Sequence, residues 1–270
     1  MNGLSAVIFI PEDMTKHGYT HPMMLQPVLG VPLLRWLSYS LYENGVERFF
    51  LVCRDAYVAQ ARACLPENAE VMTSADSNPA DQLHVFLSTA DEGEEEITIV
   101  TGPVVYLPHL PRMGTQTAAA GLVQREALMD ALDSDFVFSR FLSENCTTLS
   151  ENEGFYTVDS PASLLHYARL LQRNRNLLLM QQGVEIFDAD NCYVEPQVQV
   201  GRGAKLLAGT ILRGNTTIGS ETIIGPWSEI SDSEIGPQSL VQCSQVHHSS
   251  IGANIRVGPY ACIQDNICLK

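Results

Sequence analysis

Val194-Glu195-Pro196-Gln197-Val198-Gln199-Val200-Gly201-Arg202-Gly203-Ala204-Lys205-Leu206 carries the pattern that decides the last third of this chain. An aliphatic residue returns at every sixth position, at Val194, Val200 and Leu206, and the series continues through Leu212, Ile218, Ile224 and Ile230. Glycine follows it at Gly201, Gly219 and Gly225. Four residues after each aliphatic stands a small or β-branched residue: Val198, Ala204, Thr210, Thr216, Thr222 and Ser228. Neither a helix nor a flat strand produces this period. A left-handed parallel β-helix does, because each hexad forms one side of a triangular coil and three hexads close it. The aliphatic points inward and the small residue packs beside it where space is short. After Ile230 the register shortens and recovers through Ile235, Val241, Val246, Ile251, Val257 and Ile263. The five-residue steps hold Ser231-Asp232-Ser233-Glu234, Gln242 to Gln245 and His247 to Ser250, polar stretches suited to tightened corners.

Working outward from the repeats, charge is unevenly spread. Residues 194–270 hold six acidic and five basic residues, so nearly all of the net −15 lies in residues 1–193. No basic face for nucleic acid is visible. No apolar run is long enough to span a bilayer, and Met1 to Ile10 lacks the basic flank and cleavage site of a signal peptide. Seven cysteines without framework spacing suit a reducing cytoplasm.

The first hundred residues alternate apolar runs with helical patterns. Ser5–Ile10, Phe49–Cys53, Glu70–Thr73 and Ile97–Val100 read as strands. Helices are expected from Pro32, as first helical residue, to a stop at Gly45, and over Ala56–Cys64 and Ala80–Ser88. Glu94-Glu95-Glu96 reads as an exposed acidic turn. This alternation predicts a Rossmann-like parallel α/β sheet with ligand space at the strands' carboxyl ends. Between Pro103 and Gly154 it stops: Ala118–Leu132 is expected as helix, Phe136–Leu142 is ambiguous, and Phe155–Val158 reads as a strand. Ser160-Pro161 opens a helix running to about Gln182, with Leu164, Ala168, Leu171 and Leu178 along one stripe and Arg169, Arg173 and Arg175 elsewhere on its surface. Its expected role is a linker packed on the sheet. The division that follows is 1–110 for the α/β domain, 111–182 for an irregular and helical part completing it, and 183–270 for the β-helix.

An α/β domain, a long helix, then Gly183-Val184-Glu185-Ile186-Phe187-Asp188 leading into hexapeptide repeats resembles the bifunctional N-acetylglucosamine-1-phosphate uridyltransferase/glucosamine-1-phosphate acetyltransferase family. The likeness is close from about Ser160 to Ile263, through Ile224-Gly225-Pro226, Asp232-Ser233-Glu234-Ile235-Gly236 and Val257-Gly258-Pro259-Tyr260-Ala261. It returns at Pro22, Leu25, Pro27, Gly30 and Pro32. It fails in the middle, where this chain is much shorter than the family's uridyltransferase domain.

The resemblance implies a Gly-rich loop after the first strand, of the pattern L-A-A-G-x-G-T-R-M, whose backbone amides approach a triphosphate. Here the run is Phe9-Ile10-Pro11-Glu12-Asp13-Met14-Thr15-Lys16-His17. Both glycines are replaced, by Glu12 and Met14, and only Thr15 and Lys16 remain as substrate-binding remnants. The family's Pro-Lys is Pro22-Met23, and its metal-holding Gly-Asp is Gly102-Pro103. A second metal-side position falls on Asp159, leaving one hard oxygen ligand without its partner. Lys16 and Asp159 also read simply as a solvated charge and a helix-start residue. Losing one electrostatic contributor to a transition state costs about 2.7–4 kcal/mol, so losing three should abolish nucleotidyl transfer. In the acetyltransferase half, the family's first acetyl-CoA arginine is Gln264, and the later coils with the catalytic histidine are absent. His247-His248 reads as ordinary exposed corner residues with no orienting carboxylate, and Cys243 with them makes a poor metal set.

Three functions stay open: a non-catalytic pyrophosphorylase-like binding or assembly module, favoured because losses fall on charged and glycine positions; a nucleotidyltransferase with rearranged chemistry, centred on Lys16; and a hexapeptide-class acyltransferase with a site between subunits. No cofactor is expected, with Mg²⁺ needed only for the second. The expected partners are the chain itself, as a homotrimer around a threefold axis, and a nucleotide sugar or a protein, with no nucleic acid and no membrane. The lack of a capping helix after Ile267-Cys268-Leu269-Lys270 adds an expectation of end-to-end contact.

Overall fold

The computed structural model describes residues 4–13, 21–74, 79–90, 94–108, 116–133, 141, 144–150 and 154–269. The chain forms two compact units, Met1–Tyr167 and Ala168–Lys270. No helix among the described residues is long and apolar enough to cross a membrane.

The first unit is built on β1 (Leu4–Phe9), whose Ala6, Val7 and Ile8 are fully buried. After β1 come the short strands β2 (Pro27–Val28) and β3 (Val31–Pro32) and the helix α1 (Leu33–Glu43). Then follow β4 (Val46–Val52), α2 (Asp55–Arg62), β5 (Glu70–Ser74), α3 (Ala80–Ser88) and β6 (Glu96–Val100). The remainder is β7 (Val104–Tyr106), β8 (Gln116–Gln124), α4 (Arg125–Leu132), β9 (Thr147–Ser150) and β10 (Phe155–Thr157). One six-stranded sheet runs β5-β4-β1-β6-β8-β9, parallel through β6 and antiparallel beyond it. β1 has no polar alternation because both its faces are covered. Ala6 and Ile8 pack with Leu34, Leu37 and Ala61 on one side, and Val7 with Leu83, Phe86 and Leu128 on the other.

Four details differ from the expectations. Pro32 is not the first helical residue: it lies extended in a hairpin with Pro27, closed by Leu29 and Gly30 at positive φ, and α1 begins at Leu33. A primed turn needs positive φ at both central residues, and that turn holds Pro32 out of the helix. Glu94 is not exposed: it is buried and accepts hydrogen bonds from the Ser5 amide and, at 2.9 Å, the Ser5 hydroxyl. Within 118–132 only Arg125–Leu132 is helical. The run Thr117-Ala118-Ala119-Ala120-Gly121 forms β8, paired from Val100↔Ala120 to Glu96↔Gln124. Alanine's helix preference yields here to sheet pairing that needs small side chains, since a Cβ at Gly121 would strike the Cys146 thiol. The strand over Phe155–Thr157 is present but pairs with β7 in a separate two-stranded sheet. Of 136–142 only the buried Phe141 is described.

The last helix, α5 (Pro161–Gln181), starts on a reciprocal cap. The Ser163 amide donates to Ser160 Oγ at 3.2 Å and the Ser160 amide to Ser163 Oγ at 3.0 Å. From Ala168 onward it belongs to the second unit. Arg175 is not on its surface: it is buried and donates from Nη2 to the Val198 carbonyl at 2.6 Å. Asn176 bonds the Ala189 and Cys192 carbonyls, and Leu179 packs with Val184, Cys192, Val194 and Val198. This half of the helix therefore closes the first coil of the β-helix, as terminal elements of a solenoid do.

The second unit stacks three five-stranded parallel sheets. Each strand pairs with the one a coil later: Glu185 with Lys205, Lys205 with Ile223, Ile223 with Leu240, and Leu240 with Arg256. This is a parallel β-helix with the repeat spacing of the left-handed class. The hexad aliphatics from Leu206 to Ile263 form its core. Gly201, Gly219 and Gly236 stack on one edge, where a Cβ would collide with the next coil's backbone. The small hexad positions do more than fit. Thr222 Oγ1 donates to the Gly236 carbonyl at 2.9 Å, and Ser239 Oγ to that of Gly252 at 2.8 Å. Amides of following coils donate back, Ser249 to Ser233 Oγ at 3.0 Å and Ile255 to Ser239 Oγ at 3.1 Å. A ladder of buried hydroxyls satisfies backbone groups that the corners leave out of the sheets.

Candidate functional site

At the carboxyl end of β1 the chain turns through Ile10-Pro11-Glu12-Asp13. Glu12 pairs with the Arg54 guanidinium. Asp13 is 7% exposed, and its Oδ1 accepts the Met23 amide at 2.9 Å. Its Oδ2 is buried without a hydrogen-bond partner among the described residues. Met23 is fully buried in a 3-10 turn with Met24 and Leu25. The position that the resemblance assigns to a phosphate-seeking lysine thus holds a thioether facing inward, and the donor beside it is used by the chain's own carboxylate. Thr15 and Lys16 lie outside the described residues, as does Met14.

The second element is the exit from β6. The Thr101 amide donates to Ala119 O at 2.9 Å, and Pro103 O accepts the Val158 amide at 2.8 Å. That bond brings Pro103 beside the exposed Asp159, at the foot of α5. The two positions that the resemblance assigns to a metal are therefore neighbours, but one carries a proline ring. A lone exposed carboxylate does not fit the paired oxygen set expected there. No group of three His, Cys, Asp or Glu able to hold a metal occurs among the described residues.

The third element lies on the β-helix. A groove of about 430 Å³ is bordered by Asn215, Thr217, Asp232, Glu234, His248 and Asn266, among others. His248 Nε2 stands 3.7 Å from Asp232 Oδ2, while Asp232 Oδ1 accepts the Asn215 amide at 3.0 Å. His247 Nδ1 and Ser231 Oγ are 2.7 Å apart. Asp232 thus lies near His248, a proximity that the linear order does not display, with both side chains exposed. The signal was present: Ser231-Asp232-Ser233 and His247-His248-Ser249 occupy the same phase of consecutive coils. Cys243 sits on another edge, bonded through its amide to Pro226 O, and takes no part.

All seven cysteines are free. Burial pushes the thiols of Cys53, Cys146 and Cys192 up, and that of Cys64 to about 11, the opposite of nucleophile activation.

No family model matches the chain. Among curated proteins, the bifunctional protein GlmU of Caldanaerobacter subterraneus is 38% identical over 122 residues, 45% of this chain and 27% of that one. Over this stretch the chain is similar to GlmU. GlmU of Exiguobacterium sibiricum is 39% identical over 112 residues, covering 42% of this chain and 25% of the relative, and GlmU of Listeria monocytogenes 33% over 129, covering 48% and 27%. The matched stretch spans about a quarter of the length of these GlmU proteins. A solved inositol-1-phosphate CTP transferase from T. maritima superposes with a TM-score of 0.42 at 12% identity, over 63% of this chain and 97% of that one. The strand order described above stands without it.

Proposed function

We propose that this GlmU-like chain is a sugar-nucleotide pyrophosphorylase-like protein without nucleotidyltransferase activity, acting in the cytoplasm as a binding or assembly module that associates with itself as a homotrimer. The observation carrying this reading is the Asp13–Met23 bond. A nucleotide's phosphates would have to displace a buried carboxylate, with like charge, from the amide it holds, and no lysine stands at position 23 to neutralise them. Proline at 103, next to Asp159, supports the same conclusion for the metal. The test is calorimetric titration with UTP, UDP-N-acetylglucosamine and acetyl-CoA, each with Mg²⁺, alongside a pyrophosphate-release assay with UTP and a sugar 1-phosphate. No pyrophosphate is expected. Turnover near the common enzymatic scale of about 10 s⁻¹ would show that other residues have taken over the site.

A second reading rests on the groove. His248, with the Asp232 carboxylate 3.7 Å away, is the candidate general base for a hexapeptide-class acyltransferase. Acyl transfer from acetyl-CoA to an amino sugar that is lost in His248→Ala would support it. An equal blank rate in both proteins would dismiss it.

A further inference from the structure

One residue per coil turns each corner of the β-helix at positive φ, and the three edges differ in what they carry there. Two edges are polar, one with Glu221, Gln238 and Asn254, the other with Asp232, His248 and Asn266. The third carries Gly209, Trp227, Cys243 and Tyr260 in successive coils, joined by amide bonds from Trp227 to Ala208 O, Cys243 to Pro226 O and Tyr260 to Cys243 O. Its first-coil corner holds Asp188, Asp190 and Asn191, and the Asn191 carbonyl accepts the Gly209 amide at 2.9 Å. Every second coil thus presents a large or charged group, with the small Gly209 and Cys243 between. Trp227 is 72% exposed and Tyr260 89%. A Cβ at Gly209 would run into the indole, so the Trp227 ring lies along the edge over that glycine. The two aromatics close equivalent segments, Gly225-Pro226-Trp227 and Gly258-Pro259-Tyr260, two coils apart. Neighbouring strands lie 4.7–4.9 Å apart, so about 9.6 Å separates their backbones.

We propose that this edge docks a proline-rich segment of a partner protein in the polyproline II conformation. The proposal rests on the binding-module reading above and names the partner's chemistry. A polyproline II helix has three residues per turn and rises ~3.1 Å per residue, so one turn spans about 9.3 Å. Prolines at i and i+3 therefore reach Trp227 and Tyr260 together, and the residues between them pass over Cys243. Pyrrolidine rings pack on the aromatic faces. The indole N–H and the phenol O–H donate to peptide carbonyls, which this helix leaves without internal partners. The acidic corner lies two coils before Trp227, one further turn along. There Asp190 pairs with Arg173 at 3.3 Å, and Asp188 accepts the Asn191 side-chain amide at 2.7 Å. Two carboxylates and one guanidinium leave one net negative charge, which selects Arg or Lys three positions from the nearer proline. The expected motif is Arg-x-x-Pro-x-x-Pro or its reverse, since this helix presents the same face in both chain directions. A chain of net charge −15 attracts such a cationic segment, and the preformed helix loses little entropy on docking.

The fold supplies its own reporter. Of the two tryptophans Trp36 is buried, so emission from an exposed indole comes from Trp227. Synthetic peptides of both orders, titrated into the full chain to about 1 mM, should give a saturable blue shift with at least one order. By anisotropy of the labelled peptide, Trp227→Ala and Tyr260→Ala should each weaken binding about tenfold or more. Both side chains are exposed, so the far-ultraviolet dichroism spectrum should not change. Widening the spacing to Pro-x-x-x-Pro should cost as much. Replacing the peptide's arginine by glutamate should cost about threefold, a difference that disappears in Asp188→Asn/Asp190→Asn. Equal binding of the two spacings, or no saturation with either order, would overturn the proposal. So would a shift produced by a β-1,4-linked glucan oligosaccharide and not by the peptides, or a Trp227 already shielded from acrylamide in the unliganded chain. These failures leave the pyrophosphate assay untouched, whereas turnover in that assay would overturn the module reading and not the peptide site.

Discussion

Removing a single oxygen atom, in Ser239→Ala, tests whether the hydroxyl ladder holds the β-helix together. Ser239 is buried. Its Oγ donates to Gly252 O at 2.8 Å and accepts the Ile255 amide at 3.1 Å. The substitution strips two backbone groups of these partners and leaves a space of one hydroxyl between two coils. A net contribution of about 1 kcal/mol per bond sets the lower bound at ~2 kcal/mol. Leaving both groups unsatisfied raises it toward ~4 kcal/mol, since each orphaned buried group costs about 1–3 kcal/mol. The expected loss is therefore about 3 kcal/mol, read from guanidinium unfolding of the full chain followed by far-ultraviolet dichroism. Ser220→Ala, at an exposed corner, is the control and should fall within about 0.5 kcal/mol of the parent. If Ser239→Ala behaves like Ser220→Ala, the buried hydroxyls are mere space-fillers and the reasoning fails.

Three further outcomes are expected. Arg175→Leu removes the donor to Val198 O and should destabilise the second unit by about 2–4 kcal/mol, whereas Arg173→Leu, whose ion pair with Asp190 is exposed, should cost at most ~1 kcal/mol in the same unfolding assay. Met23→Lys should not restore pyrophosphate release. It places an ammonium at a fully buried position, so thermal unfolding should drop steeply while activity stays at background. Cys64 has its folded pKa raised by burial from 9.0 to about 11, so its contribution is complete below pH 9 and lost as pH rises toward 11. On the order of 3 kcal/mol of stability is at stake over that window, and Cys64→Ser should flatten that part of the unfolding-versus-pH profile.

The candidate site was legible only where spacing alone decides geometry. Replacement of glycines and lysine around Glu12, Met14 and Met23 was visible in the linear order, as was Pro103 in place of a carboxylate. That Asp13 would turn inward and take the Met23 amide was not, because the bond joins a loop to a distant turn. The Asp232–His248 pair lies between these cases: coil phase stacks the two residues, but the 3.7 Å separation depends on side-chain direction.

By itself the sequence determined the β-helix, its inward aliphatics and its tightened polar corners, because a six-residue period repeated over many coils has one geometric solution. It also determined the four parallel strands at the start of the chain and the helices Asp55–Arg62 and Ala80–Ser88, closely as expected. Tertiary structure alone decided the rest. It turned the alanine run at 118–120 into strand, where pairing with β6 and β9 and the nearby Cys146 outweigh a propensity difference of less than about 1 kcal/mol per residue. It buried Arg175 and Glu94, which read as surface charges until the carbonyl and amide groups they satisfy are brought within reach. It also gathered Trp227, Cys243 and Tyr260 onto one edge, since corner residues a coil apart become neighbours only once the solenoid has closed.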